Sequence, residues 1–360
     1  MPERHTILGP GATVLEADLG KLVETGLGLK VTCVEPLASG LGLRRFYRIH
    51  TDGTPATLIA RVEAAEDPAG RPPGLAPEPP LEPLRTFLSD QGLPVPVRWG
   101  GVPGERIDWL EDFGDRSLAD CVPEMDDRER RQIYREVLAW LPLLQGATDA
   151  ARGLPTYERR LDRALLAYKG DLFARHSLPL ALGREPRAEE REAVAAAFAR
   201  IADEVESAPQ QLAHRDLQSQ NVMVRKADPG AGRLGMIDFQ GAFLAPPEYD
   251  LVCLLRDSYV ELPEDEIAAH LDWIVPQLPA APDRATLQRR FDLLTLARKG
   301  KDHARFVFAL ETRGDERWGR YLPQTARALH TAARRVAGLD PSLERLADWI
   351  ARLPERPCAE

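Results

Sequence analysis

Cysteine is scarce in this chain. The four present, Cys33, Cys121, Cys253 and Cys358, stand far apart, with no Cys-x-x-Cys pair and no His/Cys cluster among them. That spacing argues against a disulfide framework and against a zinc site. Long apolar runs are lacking too. No stretch approaches the roughly 18 consecutive apolar residues of a membrane-spanning helix. Met1-Pro2-Glu3-Arg4-His5 leads into no signal-peptide pattern. A cytoplasmic protein with no membrane role is the expectation. Basic runs are missing as well. Net charge is -9, and Lys and Arg are scattered along amphipathic patterns, so no nucleic-acid partner is expected. No internal repeat is visible. What remains is 360 residues of 44% apolar composition, enough for one large domain or two lobes with a core.

One stretch organises the rest. His214-Arg215-Asp216 is followed by Asn221, the apolar triplet Val222-Met223-Val224, a Gly/Pro turn, and a second apolar run ending in Ile237-Asp238-Phe239. The pattern H-R-D-x-x-x-x-N, strand, turn, strand, Asp-Phe is the catalytic-loop and metal-loop spacing of protein-kinase-like phosphotransferases. Asp216 then accepts the proton of a substrate hydroxyl. Asn221 and Asp238 offer hard oxygen ligands to Mg²⁺, which also holds the phosphates of ATP. His214 braces the loop by hydrogen bonding, and Arg215 holds backbone or carboxylate oxygens. A plain β-hairpin with a polar entry loop is the bland alternative. It is disfavoured because five residue types have to coincide at fixed offsets.

Upstream, Ala12 to Leu27 has a helical period, and strands are expected at Val31–Leu37, Phe46–His50 and Thr57–Val62. Ser39, Gly40 and Gly42 lie in the first hairpin loop, where backbone N–H groups can meet ATP phosphates, although two glycines often mean only a turn. The third strand has no Lys for the α- and β-phosphates. It offers Arg61, which can bind phosphate or simply sit beside Glu63. Ala64 to Pro80 reads as a Pro-rich loop. Glu78 and Glu82 are both candidates for the acid of the following helix. After two more strands, Glu111 to Phe113 falls where a hinge belongs, its backbone facing adenine, or forms only an acidic loop. Downstream the pattern is helical. Asp126 to Glu129 has capping-box form. Asp250, an acid among apolar residues, braces the catalytic loop or only favours its own helix dipole. The C-terminal hundred residues read as five helices, among them Arg284 to Lys299 and Ala304 to Arg313. Aromatic and charged residues around Phe306, Trp318 and Tyr321 are candidates for an acceptor pocket.

With these pieces the chain resembles the aminoglycoside phosphotransferase-like family of small-molecule kinases. The resemblance rests on His214 to Asn221, on Ile237-Asp238-Phe239-Gln240-Gly241-Ala242 and on Tyr249 to Asp257. Gln218-Ser219 and Phe239-Gln240 make it most similar to bacterial kinases of N-acetylmuramate and N-acetylglucosamine that act on the anomeric hydroxyl. That branch tends to lack the strand-three Lys. Gly241 departs from it, since an acidic residue is more familiar there. The resemblance implies an α+β, protein-kinase-like two-lobe fold. An antiparallel β-sheet lobe over residues 1–111 binds nucleotide, and a mostly α-helical lobe over 112–360 carries catalysis and the acceptor site. It implies an ATP- and Mg²⁺-dependent phosphotransferase in cell-wall recycling, with Asp216 as base, Asn221 and Asp238 on the metal, an amino-sugar acceptor and a monomeric chain. The alternatives are an aminoglycoside or small alcohol such as choline or homoserine as acceptor, and a nucleotide-binding scaffold without catalysis. Mixed charge near the C-terminal helices suits a neutral or anionic acceptor better than a polycation.

Overall fold

The computed structural model describes residues 5–7, 13–37, 44–63, 78–102, 106–225 and 232–354. In chain order, two short strands, β1 (His5–Ile7) and β2 (Thr13–Leu15), pair ahead of helix α1 (Glu16–Leu27). Strands β3 (Val31–Pro36), β4 (Arg45–Thr51) and β5 (Thr57–Val62), helix α2 (Leu84–Asp90), and strands β6 (Arg98–Val102) and β7 (Ile107–Glu111) follow. Helices come next: α3 (Leu118–Cys121), α4 (Asp127–Leu138), α5 (Trp140–Gly146), α6 (Arg163–Leu172), α7 (Leu178–Leu182) and α8 (Ala188–Ser207). Four short strands, β8 (Gln211–Ala213), β9 (Val222–Val224), β10 (Leu234–Met236) and β11 (Phe243–Ala245), surround the loop singled out above. The chain finishes with α9 (Tyr249–Leu255), α10 (Glu264–Ile274), α11 (Arg284–Arg313), α12 (Leu322–Val336) and α13 (Pro341–Ile350).

Two compact units form. The first gathers Met1–Arg71, Pro94–Asp115 and Met223–Ile237; the second gathers Pro72–Leu93, Arg116–Val222 and Asp238–Glu360. The first unit is built on a five-stranded antiparallel sheet in the order β3-β4-β5-β7-β6. Alternation puts Tyr47, Ile49, Leu58, Ala60, Ile107 and Trp109 in one core with Leu19 and Val23 of α1. Gly26 is required there, because a Cβ at that position would run into the Trp109 ring.

The second unit is helical, in agreement with the family-implied α+β class. Asp126 and Glu129 form the expected capping box of α4. Three helix starts differ from the sequence periodicity, and local chemistry explains each. Thr13–Leu15 pairs as a strand, so α1 begins at Glu16. Asp162 caps α6 by accepting from Leu165 N, so that helix begins after the turn at Pro155–Glu158 rather than at Tyr157. Glu316–Tyr321 is a 3₁₀ turn, and α12 starts after it.

The larger correction is α11. The two helices read as Arg284 to Lys299 and Ala304 to Arg313 are one helix of 30 residues. Asp283 caps its start by accepting from the amides of Ala285 and Thr286, and Gly314 ends it at φ 62°. Nothing between Lys299 and Ala304 breaks it. Gly300 does not act as a breaker; it packs beside Phe173 and Phe198. Its middle is buried all round, charged residues included. Among the described residues, no helix is long and apolar enough to cross a membrane.

One buried charge makes the fold sensitive to pH. Glu248, just before α9, is fully buried, and its nearest cation, Arg290, stands 3.6 Å away. Burial pushes its carboxyl up to about 7. A group whose folded pKa exceeds its unfolded value holds its proton better when folded, so stability falls as pH rises from about 4.3 towards 7. Glu248→Gln is expected to flatten that slope and to stabilise the protein by roughly 1–3 kcal/mol at pH 8. Denaturant titrations at pH 5 and pH 8 check it; equal pH dependence in both proteins would refute it.

Candidate active site

The loop between β8 and β9 owes its shape to one carboxylate. Asp250, in the first turn of α9, accepts from the backbone amides of His214, at 2.7 Å, and Arg215, at 3.0 Å. This is the bracing role through backbone amides. Burial pushes the Asp250 carboxyl up to about 7, against the pull of those two amides. The pair of bonds brackets a strained residue, since Arg215 has φ 82°. Further contacts hold the same residue. The Cys253 thiol donates to its carbonyl at 3.3 Å, and its own guanidinium reaches Glu78 at 3.0 Å. Glu78 and Glu82, open alternatives in the sequence, are thereby separated: Glu82 instead binds Arg85 and the Thr86 amide at the start of α2.

Gly241 makes this geometry possible. A Cβ there would stand 2.8 Å from the Arg215 guanidinium and 3.3 Å from the Glu78 carboxylate. An acidic residue at 241 is therefore replaced by room for an ion pair whose acid comes from Glu78. The Gly241 carbonyl accepts from Arg159 at 3.0 Å, which pins the chain just beyond Asp238.

His214 closes the turn from inside, its Nδ1 lying 3.3 Å from the Asp216 amide. The Asp216 side chain is about one quarter exposed. Its Oδ1 accepts from Arg298 of α11 at 2.6 Å, while Oδ2 lies 3.7 Å from Arg215 Nε. Burial alone would raise this carboxyl. Arg298, Arg215 and Lys301 override burial and hold it well below the usual carboxylate range. Arg298 also donates to the Gln218 side chain at 3.1 Å. The cations thus favour the ionised carboxylate, with one oxygen fixed by the Arg298 guanidinium and the other near Arg215.

The next residues are clamped in turn. The Ser219 amide donates to Asp257 at 2.8 Å, and the Ser219 hydroxyl donates to the same oxygen. Asn221 Nδ2 donates to the Asp216 carbonyl at 2.8 Å, which leaves the amide oxygen, a hard donor, for other work. The chain then passes through the paired strands β9 and β10 and returns at Asp238, whose φ is 61°. Gln240 Nε2 donates to Asp238 Oδ1 at 2.6 Å. One amide oxygen and one carboxylate suit Mg²⁺, which keeps waters and substrate phosphates in its remaining positions. Among the described residues no cluster of three His, Cys, Asp or Glu forms a caged metal site.

The nucleotide-side candidates are in the first unit. Ser39, Gly40 and Gly42 lie outside the described residues. Arg61 is 4% exposed, and its guanidinium is held by Asp108 at 3.0 Å and by Glu63. Glu111 ends β7. Its side chain accepts from the Val97 amide at 3.0 Å and pairs with Arg225 at 3.1 Å. Phe113 is buried, with the Arg225 guanidinium 3.9 Å above its ring. Arg48, which the sequence reading did not single out, grips Asp112 through two nitrogens and Asp115 through a third.

Arg298 and Asp257 were missed as well. They lie far along the chain from the loop they serve. For Arg298 the available signal was the dense charge of Arg298-Lys299-Gly300-Lys301-Asp302, and Asp257 stood in the Tyr249 to Asp257 stretch without an assigned role.

Removing Arg298 tests the electrostatics. Arg298→Met is expected to raise the Asp216 carboxyl and move the acid limb of the kcat/KM profile to higher pH, with turnover reduced. Arg298→Lys, which keeps charge without the fork, should restore the limb more than the rate. A pH–rate profile with an unmoved acid limb in the Met variant would refute the coupling.

A model of the phosphotransferase enzyme family matches residues 34–287 of the chain. An N-acetylmuramate/N-acetylglucosamine kinase of Pseudomonas aeruginosa is 32% identical over 295 residues, 77% of this chain and 80% of its own length. A protein of the same name from Neisseria meningitidis is 26% identical over 67% of this chain and 71% of its own. Among solved structures, the choline kinase LicA of Streptococcus pneumoniae has a TM-score of 0.60 at 16% identity, with 88% of this chain and 99% of that one covered. The GDP complex of wild-type aminoglycoside 2'-phosphotransferase-IIIa has a TM-score of 0.51 at 15% identity, covering 88% and 98%. These two likenesses concern the fold.

Proposed function

Because the chain belongs to the phosphotransferase enzyme family and is a small-molecule kinase, we propose that it moves the γ-phosphate of ATP to the anomeric hydroxyl of N-acetylmuramate or N-acetylglucosamine. The observation that carries the chemistry is the Asp216 carboxylate, ionised and fixed at one oxygen by Arg298. The acceptor is supported by relatives of that name aligned over most of both chains.

In this reading the free oxygen of Asp216 accepts the hydrogen bond of the sugar hydroxyl and aims its oxygen at phosphorus. A carboxylate held this low is a weak base toward free alcohol. It suits phosphoryl transfer, in which positioning dominates and the hydroxyl proton leaves late. Asn221 and Asp238 would hold Mg²⁺, which supplies charge neutralisation to the phosphates when bound. The backbone from Glu111 to Phe113 would face the adenine, and Ser39, Gly40 and Gly42 would face the phosphates. Arg61 already has two carboxylate partners, so its part in phosphate binding is the weakest of these assignments.

Asp216→Asn is expected to lower turnover by roughly 10²–10⁴ with the fold intact. Wild-type turnover in a folded Asn variant would remove the base from this scheme. Asp238→Ala should weaken Mg-ATP binding, and calorimetry that returned wild-type affinity would contradict the metal assignment. The acceptor is tested by ³¹P NMR of the protein with Mg-ATP and each sugar. Growth of an anomeric sugar-phosphate resonance alongside ADP is the expected result. ADP formation only with choline, homoserine or an aminoglycoside would keep the kinase and replace the acceptor.

A further inference from the structure

Arg298 and Lys301 act on Asp216, and Lys169 and Lys299 lie close to them, all on helices that carry none of the candidate metal ligands. Lys169 is on α6; Arg298, Lys299 and Lys301 are on α11. Three of them share one carboxylate. Asp302 is 2.8 Å from Lys299 Nζ, 3.1 Å from Lys301 Nζ and 3.3 Å from Arg298 Nε. Arg298 is further occupied by Asp216 and Gln218, and Lys299 by the Ser258 hydroxyl at 2.8 Å. Lys169 is buried, and its contacts among the described residues are neutral: the Tyr249 hydroxyl at 3.0 Å and the Tyr249 ring. Burial, then the repulsion of Lys301 and Arg298, pulls the Lys169 ammonium well below its usual pKa. Lys301 is brought down to about 8 by burial and Arg298, so it still carries charge at neutral pH. Of the three lysines it is the one that solvent reaches, with 16% of its side chain exposed against 1% for Lys299.

One carboxylate, Asp302, is shared by three of these basic groups, which leaves room for a further anion beside them. Asn221 and Asp238, which would hold Mg²⁺ against the phosphates, come from the loop and hairpin, whereas the lysines come from α6 and α11. The neighbouring surface is aromatic. Tyr259, next to Ser258, meets Tyr321 edge-on at 4.9 Å, and Tyr321 packs against Phe306 and Trp318. Such rings offer apolar faces and hydroxyls suited to a pyranose.

We propose that Lys301, backed by Lys169 and Arg298, binds a carboxylate carried by the acceptor, so that the enzyme prefers an acidic sugar over its neutral counterpart. The inference rests on the amino-sugar reading above and assigns its specificity to a residue. N-acetylmuramate has a carboxylate that N-acetylglucosamine lacks, and the two share the ring and the reacting hydroxyl.

The test compares kcat/KM for the two sugars in wild type, Lys301→Met and Lys301→Arg. The preference for N-acetylmuramate is expected to fall by about tenfold or more in the Met variant, mainly through KM, and to survive in the Arg variant. A Met variant that slows both sugars alike, or neither, overturns the subsite. A second measurement separates this result from the acceptor assignment. Ligand-observed NMR with d-lactate should show binding to wild type that is lost in Lys301→Met. Loss of that binding while neither sugar is turned over would retire the amino-sugar reading and keep the anion subsite. Absence of lactate binding to wild type with no sugar turnover would overturn both.

Discussion

Two backbone amides meeting one buried carboxylate set the terms for the rest of this molecule. The bonds from His214 and Arg215 to Asp250 hold a non-glycine residue at φ 82°. Such a conformation costs of order 1–3 kcal/mol and persists only where surroundings over-determine it. Here they do. The Arg215 carbonyl, amide and guanidinium each have a named partner, and the shape of the turn decides where Asp216 points. Asp238, at the far end of the hairpin, is a second non-glycine residue with positive φ. Backbone strain therefore marks both ends of the segment that sequence spacing singles out.

Charge is the second constraint. The loop is surrounded by buried acids and bases, several of them shared between partners. Asp257 serves an amide and a hydroxyl of Ser219; Asp302 serves Arg298, Lys299 and Lys301. Buried networks of this kind contribute little net stability when complete and cost several kcal/mol when one member is removed. They do fix geometry, and geometry is what phosphoryl transfer asks of a protein.

How much of this could be read from the chain depends on distance along it. The fold class came with the family resemblance, and strand-and-turn spacing ahead of a long helical pattern agreed with it. The proposed roles of Asp216, Asn221 and Asp238 rest on short, rigid offsets, and the bracing by Asp250 followed from an acid in an apolar helix. All of these are local signals. Arg298 lies 82 residues beyond Asp216, and no periodicity announces the pairing. The segment between Lys299 and Ala304 falls outside both helices read from the sequence, because its charged residues and glycine follow no apolar period, yet the helix runs through it. Gly241 looked like a missing acid; the acid arrives from Glu78, in a Pro-rich stretch with no pattern of its own.

The unbroken course of α11 has one more consequence. Arg290 near its start faces Glu248, Arg298 in its middle grips the loop, and Phe306 beyond joins the aromatic wall. One rod therefore carries separable tasks at successive turns. Substitutions beyond Asp302, and in the segment up to Tyr321, lie outside the contacts that hold the guanidinium on Asp216. In the reading proposed above, acceptor choice could therefore change there while the loop keeps its shape.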